Sequence, residues 1–235
     1  MTSQVARNMI NTFFFNMNSI KGGQSRPKAA PRYKPQKVGI LGAGMMGSGI
    51  AYSQASRGIA TVLKDVSVEA AEKGKAYSHK LTQKRVDKGR MTADKQAALL
   101  SLIQPTASAA DLKGCDLIIE AVFENRELKA RVTQEAEPML ADGGFFASNT
   151  STLPISGLAT ASANANKFVG IHFFSPVDKM QLVEIIRGAQ TDDETIARAY
   201  DYVQALGKLP IVVNDSRGFY TSRTFGTFVM EGAAM

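Results

Sequence analysis

Residues 37–47 have the sequence KVGILGAGMMG, and this stretch decides the fold. Val38–Leu41 predicts a short β-strand, and the residues after the turn favour a helix through about Arg57. The turn between them has the pattern G-x-G-x-x-G, formed by Gly42, Ala43, Gly44, Met45, Met46 and Gly47. In this setting the first glycine makes a tight turn, the second admits a pyrophosphate and the third lets helix and strand pack closely. The stretch predicts a dinucleotide-binding unit; the alternative is a glycine-rich turn without a ligand.

Asp65 follows the next predicted strand, Ala60–Leu63, at the distance from the glycines that a ribose-binding acid requires. A carboxylate there accepts hydrogen bonds from the adenosine ribose hydroxyls and repels a 2′-phosphate. The sequence therefore predicts NAD rather than NADP as the cofactor. Lys64 is a cation directly beside this acid, and it mildly favours NADP because a cation helps to hold a phosphate.

Strand and helix signals alternate from Lys37 onward. Further strands are predicted over residues 116–122, 144–147, 168–174, 182–186 and 211–213, and helices over residues 67–89, 92–102, 126–140 and 191–206. A capping box of Thr191 and Glu194 starts the last of these helices, and Gly207 ends it. The alternation predicts an α/β fold with a Rossmann-type, doubly wound, mostly parallel sheet over residues 37–215.

The two ends of the chain do not share this pattern. Residues 3–20 favour an amphipathic helix with three consecutive phenylalanines, Phe13, Phe14 and Phe15, which we expect to dock on another surface. Residues 24–36 contain three prolines and predict a semi-rigid, basic linker. Residues 1–36 are therefore predicted to be an amphipathic helix followed by a basic, proline-rich linker. Residues 216–235 are predicted to begin a further, all-helical domain, so that we expect the chain to be a fragment.

Composition excludes several classes of protein. The chain has 235 residues, a net charge of +7, one cysteine and two histidines, which argues against disulfide frameworks and Cys/His metal sites. The excess of positive charge comes from the acid-free residues 1–64, and the rest of the chain is nearly neutral and has no basic stripe, so nucleic-acid binding is not predicted. No apolar run is long enough to cross a bilayer. Secretion is not expected, and a bacterial cytoplasmic or a mitochondrial location stays open.

Two residues in neighbouring predicted strands form a candidate catalytic pair. Glu184 lies in the middle of an apolar strand and needs a partner if it is buried. His172, in the strand before it, is a suitable partner, because a carboxylate on one imidazole nitrogen makes the other a better base. The alternative is that Glu184 pairs with Lys179 or Arg187 at the surface.

Two polar segments follow predicted strands at the edge of the sheet where ligands bind in such folds. Residues 148–151 (SNTS) supply hydroxyls and an amide for a nicotinamide or a substrate oxygen, and residues 120–125 (EAVFEN) can approach the cofactor. For residues 148–151 the alternative is a turn or a cap for the short helix after Pro154.

The glycine pattern, residues 120–125, residues 148–151 and residues 171–177 (IHFFSPV) together resemble the L-3-hydroxyacyl-CoA dehydrogenases of fatty-acid β-oxidation. The resemblance covers residues 37–235. The preceding helix and linker resemble the segment that joins an enoyl-CoA hydratase domain to the dehydrogenase in multifunctional β-oxidation proteins. The resemblance implies an NAD-dependent oxidoreductase with an acyl-CoA substrate, a hydratase domain, a helical carboxyl-terminal domain and an oligomer containing a thiolase subunit.

The resemblance also implies a role for each matching residue. His172 is expected to be the catalytic base, Glu184 its orienting partner, and Ser151 a residue that contacts both substrate and cofactor. Other expected NAD contacts are Val122, Phe123, Glu124, Lys129 and Ser175, and Ser222 is expected to contact substrate. Ser175 and Ser222 stand where many relatives have asparagine. Lys80, Lys84 and Lys88 are candidate contacts for the phosphates of coenzyme A.

Two competing interpretations remain. A β-hydroxyacid dehydrogenase that uses a catalytic lysine begins with a similar glycine pattern, but the His172/Glu184 pair argues against it. A catalytically silent NAD-binding fragment has all the same cofactor residues. Retained NADH binding without turnover would distinguish the silent fragment from the enzyme.

Overall fold

The computed structural model describes residues 3–235, which contain one eight-stranded sheet covered by helices. The strands are β1 (Lys37–Leu41), β2 (Ala60–Lys64), β3 (Ile103–Thr106), β4 (Cys115–Glu120), β5 (Leu140–Ser148), β6 (Phe168–Phe173), β7 (Leu182–Arg187) and β8 (Leu209–Asn214). The α-helices are α1 (Gln4–Ile10), α2 (Met17–Lys21), α3 (Met45–Ala55), α4 (Val68–Asp87), α5 (Ala93–Ser101), α6 (Arg126–Ala136), α7 (Ile155–Leu158), α8 (Asp193–Ala205) and α9 (Thr221–Ala234).

The order of the strands places the ligand crevice. The sheet runs β3-β2-β1-β4-β5-β6-β7-β8, and every neighbouring pair is parallel except β6 and β7. From β1 the chain moves outward to β2 and β3 and then returns to β4 on the other side of β1. In an open parallel sheet, such a reversal leaves a crevice at the carboxyl ends of the strands. The predicted doubly wound, mostly parallel Rossmann-type fold is confirmed.

Apolar side chains from successive strand residues fill both faces of the sheet. Ile40 belongs to the core under α3 and α8, and its neighbour Leu41 to the core under α6 and α7. A strand buried on both faces is apolar at consecutive positions rather than at alternate ones. This explains why the strands are short apolar runs in the sequence.

The amino-terminal segment is helical and leads into an anchored loop. A six-residue π-helical segment, Asn11–Asn16, joins α1 to α2, and Phe13 keeps 71% of its surface exposed. The proline-rich stretch that follows is more firmly held than the predicted linker. Arg26 is buried and donates two hydrogen bonds of 2.7 Å to the carboxylate of Asp201 in α8. Burial alone would raise the pKa of Asp201, but the hydrogen bonds from Arg26 and the Tyr33 amide hold it below its usual value.

Two details differ from the sequence predictions. Strand β3 was not predicted, because it has four residues and includes Pro105, which a sheet tolerates at its edge. The predicted capping box is wrong: the Asp192 side chain caps α8 by accepting from the Thr195 amide at 2.7 Å. The hydroxyl of Thr191 instead donates to the carbonyl of Phe168.

Among the described residues, no helix has both the length and the apolar character needed to cross a membrane.

Candidate active site

The glycine-rich turn between β1 and α3 borders a cavity of about 510 Å³. Gly42 has a φ of +94°, and a Cβ on Gly47 would lie 1.8 Å from the carbonyl oxygen of Gly42. A Cβ on Gly44 would meet nothing within 4 Å, so open space lies in front of this residue. Gly44 caps α3 and offers no side-chain acceptor, which leaves the N–H groups of the first turn free of a capping partner. A pyrophosphate fits this arrangement.

Asp65 also lines this cavity, directly after β2. Its carboxylate accepts from the backbone amides of Ala43 and Val66, each at 2.6 Å. A carboxylate has about four lone-pair sites, so acceptor capacity remains for ribose hydroxyls. The glycine turn, Asp65 and the exposed ring of Phe123 together line a site that fits the diphosphate and adenosine parts of NAD.

A buried ion pair supports the rim of this cavity. Glu120 ends β4 and is 1% exposed, and the ammonium of Lys129 in α6 lies 2.6 Å from its carboxylate. Lys129 is also 3.2 Å from Glu124, and Ser148 donates to Glu120 at 2.7 Å. The ammonium group therefore connects residues 122–124, which line the cavity, to the end of β4, and Glu120 in turn connects to the end of β5 through Ser148. A direct contact of Lys129 with bound NAD stays a prediction.

Residues 148–151 join this rim rather than capping the next helix. Ser151 donates to Glu124 from its backbone amide at 2.7 Å and from its hydroxyl at 3.1 Å, and Thr150 donates to the same carboxylate. Burial would raise the pKa of Glu124, but these bonds and Lys129 lower it. The amino end of α7 is capped instead by Asp215, which accepts from the Ile155 and Ser156 amides. The sequence left open that residues 148–151 form a turn or cap the short helix after Pro154. The cap is wrong, because Asp215 has that role.

The Glu120–Lys129 pair gives a stability prediction. Lys129→Met leaves Glu120 buried without its cation, which is expected to lower the free energy of unfolding by about 3–5 kcal/mol. The double variant Glu120→Gln/Lys129→Met should recover most of this loss, because it removes both charges. Urea unfolding measures the change, with Lys95→Met, at an exposed position on α5, as the control. A loss equal to that of the control would show that the pair does not support the fold.

His172 and Glu184 lie opposite each other across the antiparallel β6–β7 pair. The Nδ1 atom of His172 is 2.8 Å from Glu184 Oε2, and Glu184 is completely buried. A carboxylate only accepts, so Nδ1 carries the proton and Nε2 has the free lone pair when the ring is neutral. Within residues 3–235, Nε2 has no hydrogen-bond partner. Glu184 is buried against His172, and among the described residues it forms no ion pair with Lys179 or Arg187, so the surface alternative is wrong.

The start of α9 fixes the carboxylate of Glu184. Thr221 donates from its amide at 2.8 Å and from its hydroxyl at 2.9 Å, and the Tyr220 amide adds a third bond at 3.1 Å. Burial alone would raise the pKa of Glu184, but the bonds from His172 and Thr221 lower it. The resulting stabilisation is present above the ordinary carboxyl pKa and is lost as the pH falls through the lowered one. Sequence reasoning missed Thr221, because nothing in the sequence connects it to a strand residue 37 positions away.

Backbone and side-chain contacts connect the histidine strand to the cofactor cavity. The side-chain oxygen of Asn149 accepts from the Phe173 amide at 2.9 Å, and the Asn149 amide donates to the Glu120 carbonyl at 2.8 Å. The hydroxyl of Ser175 lies 3.6 Å from the sulfur of Met45 in the glycine turn. His172 and the cavity therefore share one edge of the sheet.

The remaining predicted residues lie outside the cavity. Ser222 is exposed near the beginning of α9, and its neighbour Thr221, not Ser222, contacts Glu184. Lys80, Lys84 and Lys88 are exposed along α4 and just after it, and none of them lines the cofactor cavity. Their roles toward an acyl-CoA stay predictions.

Known proteins resemble the chain in sequence and in fold. The family described as "3-hydroxyacyl-CoA dehydrogenase, NAD binding domain" matches residues 37–216. A "Fatty acid oxidation complex subunit alpha" from Colwellia psychrerythraea is 40% identical over 221 residues, which are 91% of this chain and 31% of that protein. The chain thus spans about a third of this relative.

Two solved structures show the same fold. The (S)-3-hydroxybutyryl-CoA dehydrogenase of Ralstonia eutropha is 38% identical with a TM-score of 0.81, covering 84% of this chain and 70% of the other. The dehydrogenase part of multifunctional enzyme 1 from C. elegans is 25% identical with a TM-score of 0.72, covering 85% of this chain and 48% of the other.

Proposed function

The chain belongs to the 3-hydroxyacyl-CoA dehydrogenase family, with an NAD-binding domain over residues 37–216, and on this premise we propose that it oxidises L-3-hydroxyacyl-CoA to 3-oxoacyl-CoA. The observation that carries the proposal is the 2.8 Å contact between His172 and Glu184 at the edge of the sheet that also holds the cofactor cavity. A base and an NAD site at one edge are the two components that alcohol oxidation requires.

His172 acts as the general base in this proposal. Its Nε2 atom takes the proton of the 3-hydroxyl group, and Glu184 stabilises the positive charge that develops on the ring. Thr221 and the Tyr220 amide hold Glu184 in place, so that the ring keeps its orientation. The chemistry that NAD supplies when bound is acceptance of the hydride that leaves C3. In the reverse direction, the histidine returns the proton to the oxygen.

Other residues bind and orient the reactants. Gly44 and the first turn of α3 hold the pyrophosphate, and Asp65 holds the adenosine ribose. Ser151, fixed by Glu124, places its hydroxyl where substrate and nicotinamide meet. Ser175 and Phe123 complete the cofactor contacts, and Ser222 contacts the acyl-CoA. These assignments rest on the resemblance together with the contacts described above.

We further propose that the chain works within a larger assembly. The Colwellia relative is the alpha subunit of a fatty acid oxidation complex, and the exposed phenylalanines of the amino-terminal helix form a surface suited to another domain. A hydratase domain, a helical carboxyl-terminal domain and a thiolase subunit are the proposed partners. Of the two compartments left open by the sequence, the bacterial cytoplasm fits this relative better.

Acetoacetyl-CoA and NADH test the proposal in the reverse direction. We expect the chain to bind NADH, seen as enhanced nicotinamide fluorescence, and to consume it when acetoacetyl-CoA is added. NADH binding without consumption would identify the silent NAD-binding fragment. Absence of NADH binding would contradict the proposal altogether.

A further inference from the structure

Lys64 is a cation directly beside Asp65, the proposed ribose-binding acid. It ends β2, directly before Asp65, and lines the cofactor cavity. Within the described part of the chain, no other lysine or arginine lines this cavity, whereas Asp65 and Glu124 are acids that do. NADP differs from NAD by a 2′-phosphate on the adenosine ribose, and protein sites that accept this phosphate place a cation beside it. Lys64 is therefore the residue through which this site would accept NADP.

The structure pairs Lys64 with an acid on a neighbouring helix. The ammonium of Lys64 lies 3.3 Å from a carboxylate oxygen of Glu135 in α6. The Lys64 side chain is 13% exposed and that of Glu135 is 46% exposed, so the lysine is held mostly inside while the acid faces solvent on one side. The same helix contributes Leu128 and Val132 to the wall of the cavity. Glu135 thus holds the ammonium at the side of α6.

We propose that Glu135 is a positioning residue for cofactor choice, which keeps the Lys64 ammonium from pairing with a 2′-phosphate. The inference rests on the proposed NAD site and adds to Asp65 a second determinant of the preference for NAD over NADP. Asp65 repels the 2′-phosphate, and Glu135 pairs with Lys64, the one lysine or arginine among residues 3–235 that lines the cavity and would attract this phosphate. Lysine has a flexible four-carbon side chain, so release from Glu135 frees the charge to move toward the ribose.

Glu135→Gln tests the inference through binding alone. The dissociation constants of NADH and NADPH are measured by nicotinamide fluorescence, for the wild type and the variant, at low ionic strength. We expect the variant to shift the ratio of the two constants toward NADPH by about three- to fivefold, the size expected from one partly exposed ion pair. Added salt should reduce the shift, because salt screens the pairing of ammonium and phosphate.

Two further variants identify the cause. Glu127→Gln removes the same charge from the same helix at an exposed position, and we expect it to leave the ratio unchanged. In Glu135→Gln/Lys64→Met, the shift toward NADPH should disappear. An equal shift in Glu127→Gln, or a shift that persists without Lys64, would overturn the inference.

The experiment separates this inference from the proposed function. If the wild type binds NADH and Glu135→Gln leaves the ratio unchanged, Glu135 has no role in specificity while the NAD site stands. If the wild type binds neither dinucleotide, the proposed function and this inference are both wrong. A folding defect in Glu135→Gln would weaken both dinucleotides equally and leave their ratio unchanged, which also counts against the inference.

Discussion

His172→Ala is expected to lower kcat for acetoacetyl-CoA reduction by about 10³-fold, within the range that general acid–base catalysis contributes. The imidazole of His172 lies 2.8 Å from a buried carboxylate, at the edge of the sheet that also holds the cofactor cavity. Without it, the substrate oxygen loses its proton donor in this direction. The dissociation constant of NADH should stay within about threefold of the wild-type value, because the glycine turn and Asp65 bind the cofactor and are separate from the His172 ring.

The matched control is His79→Ala, which removes the other histidine from an exposed position on α4. We expect this variant to keep wild-type turnover. In His172→Ala, Glu184 keeps its three hydrogen bonds from Tyr220 and Thr221, so the fold should survive. A parallel loss of NADH affinity would indicate that His172 supports the cofactor site rather than the chemistry. Retained turnover would remove it from the mechanism.

The fold was predictable where its signals are local. The glycine pattern and the apolar run before it predict β1, the turn and α3, because each of these elements is determined by neighbouring residues. Strand β3 was not predictable, since its four residues have little β signal and are held by their pairing with β2. The cap of α8 is a similar case: Thr191 and Asp192 are both good caps, and in the fold the Thr191 hydroxyl bonds to Gly188 and Phe168 while Asp192 caps the helix.

The sequence predicted which residues belong to the candidate site, but not the contacts that hold them in place. The sequence left Glu184 three possible partners, His172, Lys179 and Arg187, and the antiparallel register of β6 and β7 selects His172. Thr221 and the Lys129–Glu120 contact depend on how helices dock against strand ends, which no spacing in the sequence encodes. Arg26 shows the same limit, because a proline-rich composition predicts a linker but not an ion pair with a residue 175 positions away.

Asp65→Arg is expected to reverse the cofactor preference. A hydrogen bond to a charged group contributes about 1.5–3 kcal/mol, so losing the carboxylate should weaken NADH by about 10- to 100-fold. The new guanidinium matches a phosphate well and should hold the 2′-phosphate of NADPH. Fluorescence titration with both dinucleotides measures the change.

The carboxylate of Asp65 also accepts from the Ala43 amide at 2.6 Å, so part of the loss could arise from a disturbed glycine turn. Asp65→Asn separates the two causes, because the amide oxygen still accepts from Ala43 while the charge is gone. We expect this variant to weaken NADH less than Asp65→Arg and to bind NADPH better than the wild type, because the repulsion is removed. If both variants keep the wild-type ratio of the NADH and NADPH dissociation constants, Asp65 does not hold the ribose. A disturbed turn alone would weaken both dinucleotides alike, since the pyrophosphate is common to them, whereas ribose recognition changes the ratio.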